Sequence, residues 1–408
     1  MSATYRIPGA ILTEREHTVP LDHGAAGGET ITVFTREVAA IGGEDRPYLL
    51  FLQGGPGFEA TRPDGPPEGW QKRALKDFRL LLLDQRGTGR STPVDEIPGG
   101  TADAQAAYLA NFRADSIVRD AEAIRQELGV DRWSILGQSF GGFCAMTYLS
   151  FYPDSLREAF ITGGLSPIGR PVDDVYSATY ARMVERNRAY FERYPDDRAR
   201  VRDIVAALES EDVRLPNGDR LTSRRFLQLG SALGMSDGPE KVHHVLELPL
   251  RSRAFLHDIE PGLGIARNPL YATVHEACYA DGGATRWSSE RLFPEQFREE
   301  LLFTGEHIFR WMWEDYGALR SHAAAADILA EHEWPRLYDP EQLARNDVPA
   351  AGTIYYDDPY VVRELSDEAA RQIRGFRPWI TNEYLHNGLR AGGEKVLDRL
   401  IDLARGRA

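Results

Sequence analysis

The first part of the chain alternates short apolar runs with amphipathic stretches. Residues 33–39 and 48–53 read as strands, and so does the nearly all-apolar run 78–83, which stops at Asp84. An unbroken apolar run of that length suits a strand covered on both faces. Ile117, Ala121, Ile124 and Leu128 then recur on one helical stripe, with a cap at Asp115 or Ser116 and a stop at Gly129. Residues 133–136 predict the next strand, 137–141 a sharp turn, and the following stretch a helix up to Pro153. A further strand is predicted near 159–162. This is the rhythm of a mostly parallel, doubly wound sheet with helices on both faces.

From about residue 167 to 345 that rhythm disappears. Val172, Val175, Tyr176, Thr179, Met183 and Val184 recur at helical spacing, as do Val201, Ile204, Val205 and Leu208, and aromatics crowd the later part at Phe309, Trp311, Trp313 and Tyr316. Strand character returns at 353–356 and near 376–381. Val396, Leu397, Leu400 and Ile401 mark a closing amphipathic helix. The expected organisation is a core formed by residues 1–166 and 346–408, interrupted by a mainly helical cap over 167–345. A chain of 408 residues exceeds what one compact core usually absorbs, so a second lobe is in keeping with length.

Charge and composition narrow the function classes. A formal net charge of -14 disfavours nucleic acid or an anionic membrane as partner. No apolar run approaches the ~20 residues that span a bilayer. Residues 1–6 lack the basic head and apolar stretch of a secretory signal, so a cytoplasmic protein is expected. Cys144 and Cys278 make no spaced pair, and His275-Glu276 and His332-Glu333 lack the second histidine of a zinc-peptidase helix. Neither a metal nor a cofactor is expected.

Gly137-Gln138-Ser139-Phe140-Gly141 fits the G-x-S-x-G elbow, between a predicted strand and a predicted helix. Reversing a strand into a helix within so few residues strains the backbone at the serine, and the flanking glycines remove side chains that would clash. The hydroxyl then stands at the N-terminus of a helix, whose dipole favours developing negative charge. A serine needs a base, and the base needs a carboxylate to hold its tautomer. In α/β-hydrolase folds the chain order is Ser, acid, His. His386, in a polar loop, is the one histidine beyond the returning strand at 353–356, and Asp357 or Asp358 directly after that strand supplies the acid. Leu52-Gln53-Gly54-Gly55-Pro56-Gly57 follows the strand at 48–53, where an oxyanion loop belongs. The backbone amides of Gly55 and Phe140 are the expected donors.

Gln53-Gly54-Gly55-Pro56-Gly57, Asp84-Gln85-Arg86-Gly87-Thr88-Gly89-Arg90-Ser91 and Gly137-Gln138-Ser139-Phe140-Gly141-Gly142 occur in that order. Together they resemble the proline iminopeptidases of the α/β-hydrolase superfamily, in particular their longer bacterial subgroup, nearly end to end. The Asp-Gln-Arg-Gly block is the most specific of the three. Gln53 stands where many relatives carry His, which leaves the backbone donors intact. The resemblance selects Asp358 over Asp357, although Pro359 follows where the family has Met. It implies a serine aminopeptidase acting on a short peptide or amino-acid amide, with proline preferred at the N-terminus.

Such an enzyme must hold a protonated amine, and the family takes the carboxylates for this from its cap. The matching segments here are 275–279 and 304–309, which makes Glu306 and Glu276 the amine-binding candidates. Phe140, Phe143 and the group Phe309, Trp311 and Trp313 are candidates for the wall of a pyrrolidine pocket, although aromatic stripes more often build plain core. Fold and triad alone also suit an esterase or another amidase. A non-catalytic binding protein would have no need of all three triad residues, and Ser139 at the elbow disfavours an epoxide hydrolase or dehalogenase.

Overall fold

The computed structural model describes residues 3–94 and 97–408; Met1 and Ser2, part of the segment read for a secretory signal, lie outside them. Among these residues nine strands form a single sheet. They are β1 (Ala3–Ile7), β2 (Ala10–Pro20), β3 (Thr30–Ala40), β4 (Tyr48–Leu52), β5 (Arg79–Asp84), β6 (Trp133–Gln138), β7 (Leu156–Thr162), β8 (Ala350–Tyr355) and β9 (Arg377–Thr381). Their spatial order is β1-β2-β3-β5-β4-β6-β7-β8-β9. The pairs β1–β2, β2–β3 and β3–β5 are antiparallel, and every pair from β5 to β9 is parallel.

The central strands owe their apolar runs to cover on both faces. Leu49 and Phe51 of β4, with Leu80 and Leu82 of β5, pack beneath the helices Gly69–Asp77 and Lys395–Ala404. The alternate residues Leu50, Leu52, Leu81 and Leu83 face the helices Ala114–Glu127 and Phe140–Phe151, as the period-two geometry of a strand requires. Burying a residue such as Leu50 or Leu81, each 0% exposed, is worth about 2 kcal/mol. The N-terminal hairpin was not predicted. β2 carries Thr13, Glu14, Arg15, Glu16 and His17 in succession, which hides its alternation. Cross-strand pairing supplies what apolar patterning does not: Glu14 stands opposite Arg36 of β3, and the two form an ion pair at 2.9 Å.

Between β7 and β8 the sheet gains no strand among the described residues. The segment holds the helices Val172–Arg193, Asp197–Ser210, Gly238–Leu246, Arg253–Gly262 and Ala323–Glu331, linked by shorter helical turns. β8 then re-enters the sheet beside β7. This connectivity brings the C-terminal ends of β4, β6, β8 and β9 to one edge of the sheet, where ligands of open α/β sheets bind. Among the described residues no helix is long and apolar enough to cross a membrane.

Candidate functional site

At the end of β6 the chain turns through Ser139, whose φ of 55° and ψ of -126° are left-handed for a residue with a side chain. Such a conformation costs about 1–3 kcal/mol and persists because its surroundings hold it. The Ser139 amide donates to the Thr162 carbonyl at 2.9 Å, and its own carbonyl accepts the Gly142 amide at 2.7 Å. Gly141 is required by close approach, since a methyl there would overlap the Leu52 carbonyl oxygen. The helix Phe140–Phe151 starts directly after the serine with no side-chain cap, which leaves its first amides free to donate.

Ser139 Oγ lies 2.8 Å from His386 Nε2, and His386 Nδ1 lies 2.6 Å from Asp358 Oδ2. With a carboxylate accepting from Nδ1, that nitrogen carries the proton and Nε2 presents its lone pair to the serine hydroxyl. Asp358 is fully buried, and its other oxygen accepts the amides of Tyr360 at 2.9 Å and Val361 at 3.2 Å. The position of His386 is fixed by its own amide, which donates to Gly234 at 3.0 Å, and by the edge-on ring of Tyr360. Burial lowers the imidazole pKa, but the charge and hydrogen bond of Asp358 outweigh it and hold His386 above its usual value. Asp357 points elsewhere: its half-exposed carboxylate stands 4.0 Å from Arg182.

The loop after β4 closes over the serine. A methyl on Gly54 would lie 3.0 Å from Ser139 Cβ, and Gly55 adopts a φ of +127° that favours glycine. The 84–91 block anchors this loop. Gln85 Nε2 donates to the Gln53 carbonyl at 2.8 Å, and the buried Arg86 grips Asp120 through two bonds of 2.7 and 2.6 Å. Gln85 thus braces the loop, while Arg86 ties the block to the helix Ala114–Glu127.

Ser139 and His386 open into a cavity of about 390 Å³ between the sheet edge and the helical segment. Its walls include Phe58, Gln228, Leu263, Ile265, Tyr271, Glu306, Ile308, Met312, Tyr316 and Arg390. Among the described residues Glu306 supplies the one wall carboxylate; burial pushes its pKa up to about 7 against the opposing charge of His386, with the nearby Asp358 charge adding to the rise and a hydrogen bond from the Tyr271 hydroxyl opposing it. The neighbouring His307 holds the loop that carries Glu306. Its Nδ1 accepts the Gly305 amide at 3.1 Å, its Nε2 lies 3.0 Å from the Thr179 hydroxyl, and its ring stacks on Tyr180 at 4.0 Å. Burial pushes the His307 pKa down to about 3, so the ring is neutral and serves as a fixed bracket.

Two expected binding residues lie elsewhere. Glu276 does not line this cavity: its oxygens accept the amides of Ser289 at 2.9 Å and Ser288 at 3.2 Å, closing a turn of the helical segment. The carboxylate is already used by backbone donors. Phe143 points into the core, with its ring against Phe140 and Tyr279 at 6.1 and 5.3 Å. One turn along a helix that starts at the site, its side chain faces away from the opening. Phe309, Trp311 and Trp313 are likewise packing residues, Phe309 stacking on Trp311 at 5.4 Å. The cavity wall is formed by Phe58, Met312, Tyr316 and the aliphatic residues near 263–265. These are scattered through irregular segments, and no periodic signal marks them.

Residues 47–261 match the family described as alpha/beta hydrolase fold. A proline iminopeptidase of Aeromonas sobria is 48% identical, the similarity covering 95% of both chains. One of Aspergillus aculeatus is 34% identical over 98% of this chain and 95% of its own. The proline iminopeptidase of Xylella fastidiosa matches only 118 residues, at 32% identity, or 28% of this chain and 31% of its own. The end-to-end similarity is thus to the Aeromonas and Aspergillus proteins, and with the hydrolase sheet it leads to one assignment: the chain belongs to the proline iminopeptidase family of the α/β hydrolases.

Proposed function

We propose that this protein is a serine peptidase that releases an N-terminal residue, preferably proline, from short peptides through an acyl-enzyme. The observation that carries the reading is the unbroken run Ser139–His386–Asp358, at 2.8 and 2.6 Å, opening into a cavity with one carboxylate on its wall. His386 takes the proton of Ser139 as Oγ attacks the prolyl carbonyl, then delivers it to the departing amine. Asp358 holds the tautomer and stabilises the imidazolium. The amides of Gly55 and Phe140 receive the oxyanion, a contribution of about 3 kcal/mol for one such donor. Water admitted to the same place then hydrolyses the ester.

Glu306 holds the substrate amine, and residues 167–345 act as a cap that closes over it, with 1–166 and 346–408 forming the catalytic core. The two free, buried cysteines, Cys144 and Cys278, accord with a reducing cytoplasmic setting. The direct test compares prolyl, alanyl and acetyl-prolyl arylamides with a neutral aryl ester. Among the arylamides release is expected to be fastest from the prolyl one and slight from its acetylated form, with Ser139→Ala lowering turnover about 10⁴- to 10⁶-fold. Equal cleavage of the acetylated substrate would replace the aminopeptidase reading with that of a general esterase or amidase.

A further inference from the structure

Among the described residues the cavity wall carries a carboxyl group, ionised above about pH 7, and a guanidinium. Glu306 lies on the helical segment and Arg390 on the short helix Gly388–Ala391, four residues beyond His386. Of the two histidines on the wall, His307 is neutral and His386 is the catalytic base; the other lining groups are apolar, amide or hydroxyl. Arg390 is exposed, and among the described residues its guanidinium enters no ion pair or side-chain hydrogen bond, although its charge is felt by the carboxylate of Asp237. Most arginines of this chain do otherwise: Arg86, Arg113, Arg225 and Arg267 are each bound to a carboxylate or carbonyl. An unengaged guanidinium at the rim of a catalytic cavity is a ready acceptor for a carboxylate.

We propose that Arg390 binds the free C-terminal carboxylate of the substrate, so that the preferred substrates are very short peptides with an uncapped C-terminus. The inference rests on Glu306 taking the amine and Ser139 attacking the first carbonyl. A dipeptide or tripeptide is then a zwitterion, and the cavity wall offers it one group of each opposite sign. The volume agrees. At about 390 Å³ the space is near the lower end of the ~300–1,000 Å³ of small-ligand sites, enough for a few residues. The charge of Arg390 also reaches the catalytic centre, where it opposes protonation of His386. A bound carboxylate would offset that charge, linking occupancy of the leaving-group side to the basicity of the catalytic histidine.

The test measures kcat/KM for Pro-Ala and Pro-Ala-Ala, each as free acid and as C-terminal amide, beside a prolyl arylamide. The quantity read is the acid-to-amide ratio within one enzyme, which cancels general damage to the site. The wild type should favour the acid of at least one length by about tenfold, in KM, falling at high salt because the guanidinium is exposed. Arg390→Gln should bring that ratio to about one, and Arg390→Lys should retain part of it. A wild type that cleaves prolyl arylamide but treats acid and amide alike at both lengths would overturn the assignment, as would a ratio unchanged in Arg390→Gln. Failure of the underlying peptidase reading looks different: the prolyl arylamide, which has no carboxylate, would go uncleaved, or its acetylated form would be cleaved equally well.

Discussion

Replacing Glu306 by Gln separates function from stability at one residue. The substitution keeps the shape and an oxygen that can accept from the Tyr271 hydroxyl, and removes only the charge. In the folded protein this carboxyl is raised from its usual 4.5 to about 7, chiefly by burial. Between those values the folded state holds a proton that the unfolded chain has released, so stability falls as pH rises through that window. Above pH 7 the carboxylate is ionised in both states, and its burial costs up to about 3 kcal/mol. Glu306→Gln should therefore match the wild type at pH 5 and be more stable at pH 8. At ~2.1 cal/mol/K per residue, a protein of 408 residues gains about 1 °C in Tm per kcal/mol, so the expected rise at pH 8 is about 3 °C. Thermal unfolding of both proteins at the two pH values is the assay, with prolyl arylamide kinetics alongside. On the proposed role of Glu306, the same variant should lose at least tenfold in kcat/KM on the prolyl substrate at pH 8 and little on a neutral ester, because the charge that would bind the substrate amine is gone. A lower Tm at pH 8, or equal loss on both substrates, would refute this: Glu306 would then be a structural member of the helical segment.

Two further substitutions probe the geometry. Asp358→Asn should lower kcat by about 10⁴-fold because the amide disturbs the tautomer of His386, whereas Asp357→Asn, at a half-exposed carboxylate beside Arg182, should stay within about twofold; steady-state kinetics on a prolyl arylamide decides, and the reverse order would move the acid to Asp357. His307→Phe keeps the ring over Tyr180 but strips the hydrogen bonds to Gly305 and Thr179, so KM for the prolyl substrate should rise about tenfold with a smaller change in kcat, and a fall in kcat at unchanged KM would count against His307 as the bracket for Glu306.

What could be read from residues alone was whatever local chemistry leaves in the chain. The doubly covered strands β4, β5 and β6 are legible because burial on both faces demands unbroken apolar runs, as in 80–83. The elbow at Ser139 is legible because its backbone tolerates only glycine at Gly141. His386 followed from order along the chain, and the choice of Asp358 from resemblance to a family; in space that choice corresponds to the residue whose carboxylate meets His386 Nδ1. The hairpin of β1 and β2 was not legible, since its strand character rests on partners such as Arg36, 22 residues away from Glu14. The cavity was least legible of all. Burial raises the carboxyls of both Glu306 and Glu276 to about 7, and nothing in their local sequence says that one lines the cavity while the other closes a turn. That distinction depends on which backbone amides arrive nearby, as those of Ser288 and Ser289 do at Glu276. The roles of Tyr271, His307, Met312 and Arg390 depend in the same way on distant segments meeting over one serine. Periodicity records which face of an element is buried; it carries no record of what lies across a cavity, and only the packing of the helical segment against the sheet decides that.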